Sequence, residues 1–143
     1  MIDVVCQDNG KGGTVAANNR EYGGLIKNGV IIEENPGAIS NPQSANTSIE
    51  LPSETSTFHS HPSGNIRVTP DYNSSASSIS SFGGIIMTYS FIQFPSSVDI
   101  LNAGSNIHYV FGRGDNNVYI YNSSGIQSVM SMKYFVTPQN NKK

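Results

Sequence analysis

Short apolar runs separated by polar, glycine-bearing stretches divide this chain, and they read as strands and turns rather than long helices. Ile2 to Cys6 predicts a short strand, and the polar stretch Gln7 to Arg20 that follows carries no core pattern. Glu21-Tyr-Gly-Gly-Leu-Ile26 and Val30-Ile-Ile-Glu33 flank Lys27-Asn28-Gly29, a β-hairpin signal, because Asn-Gly supplies the positive φ angles of a tight turn. Asn35-Pro36-Gly37 ends the hairpin, and Ser40 to Thr47 is loop by composition. Ser48 to Leu51 predicts a brief strand stopped at Pro52, and Thr55 to His59 the next one. Asn65 to Phe82, with the serine cluster Ser74 to Ser78, has no means of building a core and is expected at the surface. Ile85 to Phe94 is long and aromatic enough for a strand. Pro95-Ser96-Ser97-Val98-Asp99 opens a helix, with Ser96 as N-cap, and Gly104 is placed to end it. Ile107 to Phe111 and Val118 to Tyr121 form a second hairpin pattern, Ile126 to Val136 suits either a strand or a short helix, and Pro138 to Lys143 is a polar tail.

Composition narrows the picture. A chain of 143 residues is most simply one domain with a single core. Its charge is sparse and balanced, 8 basic against 10 acidic residues, with no basic run beyond Lys142-Lys143. That argues against nucleic acid or an anionic membrane as partner. The single cysteine, Cys6, forms no intrachain disulfide, and its neighbours Val4 and Val5 predict simple burial. No apolar run reaches membrane-spanning length, and Met1 to Val5 lacks the features of a signal peptide. The expectation is a cytoplasmic protein, or a module exported as part of a larger one.

Two of the 3 histidines stand one residue apart in Thr57-Phe58-His59-Ser60-His61-Pro62-Ser63-Gly64. Positions i and i+2 of a strand share a face, so both imidazoles point the same way at a strand end. Such a pair can bind one zinc through neutral ring nitrogens, with a third protein ligand and an open position completing a catalytic site. His108, on a Tyr-Val-Phe strand, reads as a structural or surface residue.

Glu21-Tyr-Gly-Gly, His59-Ser-His61-Pro62 and Pro95-Ser96-Ser-Val-Asp99, in that order, resemble the signature of the JAMM/MPN+ (JAB-domain) zinc metalloproteases, which have bacterial members. The likeness runs from about Glu21 to Tyr121. It implies an α/β domain spanning the chain: a mixed, twisted sheet with few short helices, of MPN-like (cytidine-deaminase-like) architecture, its core about residues 21–136. It further implies Zn2+ held by His59, His61 and Asp99, with Glu21 as general base and Ser96 donating a hydrogen bond to the tetrahedral oxyanion. The implied activity is hydrolysis of a peptide or isopeptide bond in a peptide or protein-conjugate substrate. The family sets its aspartate nearer to the second histidine, where this chain offers only Asp71, out of register and without the serine. Residues 65–94 therefore read as an insertion between ligands, with Asp71 as the alternative third ligand. Simpler roles stay open at this point: a strand-edge carboxylate for Glu21, and a helix-capping pair for Ser96 and Asp99. So does a different class of function, a non-catalytic binding module with a degenerate metal site, or a β-rich surface module.

Overall fold

A computed structural model describes residues 1–44, 46–52, 54–69 and 86–135. Six strands form one mixed sheet: β1 (Gly23–Lys27), β2 (Val30–Glu33), β3 (Ser56–His61), β6 (His108–Gly112), β7 (Asn117–Asn122) and β8 (Gly125–Ser131), in the order β2-β1-β3-β6-β7-β8. All neighbours are antiparallel except β3 and β6. A parallel pair needs a crossover. Here the crossover carries a separate two-stranded ribbon, β4 (Asn65–Val68) with β5 (Met87–Ser90), and the helix α2 (Ser97–Asn102). The protein is thus an α/β domain with few short helices.

The β1–β2 hairpin forms as its Asn-Gly turn demands, with Asn28 at φ 52° and Gly29 at φ 76°. Strand alternation then sorts the side chains between two faces. Phe58 on β3 and Phe111 on β6 point to one face, where they meet Val4, Val5, Tyr22, Val118 and Met132. Thr57, His59 and His61 point to the other, which α2 covers through Ala103 against Val110 and Tyr121.

Several expectations are corrected. Ile2–Val5 is a helix, α1, not a strand. A strand would send the adjacent Val4 and Val5 to opposite faces, whereas both are buried in one core cluster. The same turn leaves Cys6 exposed rather than buried. Gln7 to Arg20 is ordered around a 3-10 turn (Ala16–Asn18) and buries Asp8, Asn18 and Asn19. Ser48 to Leu51 forms no strand, since β2 and β3 already occupy both edges of β1. Asn65–Val68 is a strand inside the stretch expected to lie at the surface without building a core, and of the strand expected over Ile85 to Phe94 the described residues form Met87–Ser90. Ile126 onward resolves into β8 and a 3-10 turn, Met132–Tyr134. Asp71, the serine cluster and the polar tail lie outside the described residues. Among the described residues no helix is long and apolar enough to cross a membrane.

Candidate metal centre

His59 and His61 leave the end of β3 on the same face, as i and i+2 must. Both rings are buried, and they meet at their Nε2 atoms, 3.3 Å apart. Asp99 reaches them from the first turn of α2, with Oδ1 3.4 Å from His59 Nε2 and Oδ2 3.5 Å from His61 Nε2. These three residues form a group that could hold a metal ion. Adjacent corners of a tetrahedron with metal–ligand bonds of 2.0–2.1 Å lie about 3.3–3.4 Å apart. Adjacent corners of an octahedron with bonds of 2.1 Å lie about 3.0 Å apart. The Nε2–Nε2 separation of 3.3 Å matches a tetrahedral edge, while Asp99 meets the two rings through different oxygens, Oδ1 towards His59 and Oδ2 towards His61. The Nδ1 atoms of both rings are buried and have no hydrogen-bond partner among the described residues, so packing and Asp99 orient the rings.

A reciprocal capping box aims Asp99. The Ser96 hydroxyl accepts from the Asp99 backbone N–H at 3.1 Å, while the Ser96 backbone N–H and hydroxyl both donate to Asp99 Oδ2 at 2.7 Å. Both Ser96 donors converge on Oδ2 and leave Oδ1 free of them. Burial opposes charge on Asp99, but hydrogen bonds to His59, His61 and Ser96 outweigh it and hold the carboxyl far below the usual range. It is therefore ionised at neutral pH, as a ligand must be. Burial pushes the His59 pKa down, and the Asp99 hydrogen bond with the Glu21 and Asp99 charges more than reverses this.

Glu21 precedes β1 on the site face. Gly23 pairs with His59, and Tyr22 donates its backbone N–H to Ser60 Oγ and accepts from Ser60 N–H, so the register carries Glu21 on towards His61. Its side chain is buried in the same groove as both histidines. Burial raises its pKa, the two histidines pull it back, Asp99 pushes it up again, and the Ile49 backbone lowers it a little. Gly23 is the residue this approach requires, because a Cβ there would meet the Phe58 carbonyl oxygen and come within 2.9 Å of His59 Cβ.

The groove is open to solvent, about 860 Å³ in volume, with the segment Asn46 to Pro52 on one side and α2 on the other. Two of its residues had no functional signal in the sequence. His108 is structural: Nδ1 accepts from Thr57 Oγ1 (2.8 Å) and Thr57 N–H (3.3 Å), and Nε2 donates to the Ala103 carbonyl (2.8 Å). Tyr121 packs against His108, ring centroids 5.4 Å apart, and lines the groove. Its pairing with His108 across a predicted hairpin was the signal that could have drawn it in.

No protein-family model, curated protein or solved structure gives a significant match to this chain.

Proposed function

We propose that this chain is a zinc-dependent amide hydrolase of JAMM/MPN+ type, cleaving a peptide or isopeptide bond. The observation that carries the reading is the His59–His61–Asp99 triad, its two Nε2 atoms 3.3 Å apart and the Asp99 carboxylate 3.4–3.5 Å from them, with the buried Glu21 carboxyl in the same groove. Two imidazoles and one carboxylate make a donor set typical of catalytic zinc. When bound, zinc supplies a Lewis acid and lowers the pKa of water towards neutrality. Glu21 takes up the proton that water gives up, at a carboxyl whose affinity for it burial has already raised, and returns it to the leaving nitrogen. Asp99, capped by Ser96, holds its charge without taking part in proton transfer. The mixed sheet, with the histidines on a central strand and the aspartate on the crossover helix, suits the MPN-like architecture that the motif order implies.

Purified protein should hold about one zinc per chain, and His61→Ala should lose most of it. Glu21→Gln should retain zinc and hydrolyse a peptide or isopeptide substrate at least about a hundredfold more slowly. A folded His61→Ala variant that keeps its zinc would refute the metal site. A Glu21→Gln variant with wild-type turnover would return Glu21 to a structural role, whereas zinc-loaded wild type with no turnover at all would favour the binding-module reading.

A further inference from the structure

Hydrolysis of an amide through a tetrahedral centre needs a fixed donor for the oxygen that gains charge. Ser96 is the residue the motif offers, but its geometry here is that of a clamp. Its one hydroxyl proton points to Asp99 Oδ2 at 2.7 Å, and its oxygen accepts the Asp99 backbone N–H at 3.1 Å. Turning that proton towards a substrate would break the bond that aims the ligand. Ser48 also lines the groove but is exposed, with no hydrogen bond to fix its hydroxyl among the described residues, and two other hydroxyls are ruled out as well. Thr57 Oγ1 is bonded to His108 Nδ1 at 2.8 Å, and Thr47 Oγ1 has no partner but is sealed from solvent.

Tyr121 differs from all four. Its hydroxyl makes no hydrogen bond among the described residues and is not among the sealed polar atoms, while the residue lines the groove. The ring is held rigidly, only 3 % exposed, packed on His108 and against Ala103 and Val110. A rigid ring with an unpaired O–H at its tip is a pre-organised donor, which costs no reordering when charge develops. Burial first, then the Asp99 and Glu21 charges, push the Tyr121 pKa far up, so the proton stays on the hydroxyl at any working pH.

We propose that Tyr121 is the hydrogen-bond donor to the carbonyl oxygen of the scissile amide, and that Ser96 is a positioning residue that acts through Asp99. No proton is transferred: Tyr121 donates a hydrogen bond that strengthens as the oxygen gains charge. The proposal rests on the amide-hydrolase reading.

The test compares wild type, Tyr121→Phe and Ser96→Ala, each loaded with zinc, in two assays: peptide hydrolysis, and binding of a phosphoramidate dipeptide whose tetrahedral oxygens imitate the attacked amide. Phenylalanine keeps the ring packing, and a melting curve checks the fold. Tyr121→Phe should keep its zinc and KM, lose about a hundredfold in kcat, and bind the phosphoramidate at least about tenfold more weakly. Ser96→Ala should bind zinc more weakly and recover kcat at saturating zinc. Wild-type kcat and phosphoramidate affinity in Tyr121→Phe would overturn the proposal, as would a Ser96→Ala variant that stays slow with its zinc site full. Absence of hydrolysis by zinc-loaded wild type would sink the hydrolase reading instead. The phosphoramidate affinities would still decide whether Tyr121 contacts a tetrahedral oxygen.

Discussion

His108 sits behind the metal group as a neutral ring, and its neutrality has a measurable consequence. Thr57 presents two donors to Nδ1, so protonating that nitrogen would set three protons against one another at a buried site. Burial lowers the His108 pKa, with the Ala103 carbonyl partly opposing it. A depressed histidine pKa means that the unfolded chain takes up the proton first. The stability His108 contributes is therefore complete above about pH 6.5 and is lost as the pH falls below it. His59 shifts in the opposite direction and is present in both wild type and variant, and its charge is one of the causes that lower His108. Urea unfolding of the metal-free protein at pH 7.5 and 5.5 should show wild type losing more stability on acidification than His108→Gln does. Equal losses would mean that His108 is not held neutral by its surroundings. At this scale the sequence was legible where chemistry and period coincide. The His-x-His spacing puts two rings on one strand face, and Ser-x-x-Asp caps a helix whether or not the acid binds metal. Tyr121 was missed because, in an alternating Val-Tyr-Ile-Tyr run, only its place opposite His108 in the second hairpin sets it apart from Tyr119.

Between elements, the contact that matters most is β1 against β3, and two adjacent glycines make it separable by experiment. A Cβ at Gly23 would strike the Phe58 carbonyl and His59 Cβ, whereas one at Gly24 would strike the Ile32 carbonyl on β2. Gly23→Ala should therefore move β1 away from β3, and Gly24→Ala away from β2. Each should cost about 1–3 kcal/mol of stability. Only Gly23→Ala should also weaken zinc binding, by about tenfold or more, with the displaced Glu21 reducing activity further. Isothermal titration of folded protein with zinc separates the two. An equal loss of affinity in both variants would show that the site senses the whole hairpin rather than the β1–β3 contact. The Asn-Gly hairpin was legible because a two-residue turn fixes its own register. β4 was not, since the four residues Asn-Ile-Arg-Val have no apolar face large enough to announce a strand, whereas β5 lies within the strand expected over Ile85 to Phe94.

Across the whole molecule, the turn that follows His61 is hydrogen-bonded to the far end of the chain. Asp8 is fully buried and accepts three hydrogen bonds: from Ser63 Oγ at 2.6 Å, Ser63 N–H at 2.6 Å and Gly10 N–H at 2.8 Å. Asn18 and Gly13 add backbone carbonyls that accept from Gly64 and Asn65. The turn that leaves His61 is thus built into a polar layer supplied by residues 8–19, beneath which Val4 and Val5 enter the core. No pattern in Gln7 to Arg20 shows this, because polar burial has no period and its partner, Ser63, lies 55 positions away. Asp8→Ala would leave the Ser63 N–H buried without a partner and remove two further bonds to a carboxylate. The expected cost is about 3 kcal/mol, whereas Ser63→Ala, which loses only the hydroxyl contacts, should cost about 1 kcal/mol. Because the clamp lies two residues beyond His61, Asp8→Ala should also weaken zinc binding about tenfold in protein that is still folded. Denaturant unfolding gives the first quantity and zinc titration the second. An Asp8→Ala variant that is destabilised but binds zinc at wild-type affinity would confine the polar layer to a structural role. One with unchanged stability would show that the turn holds without it.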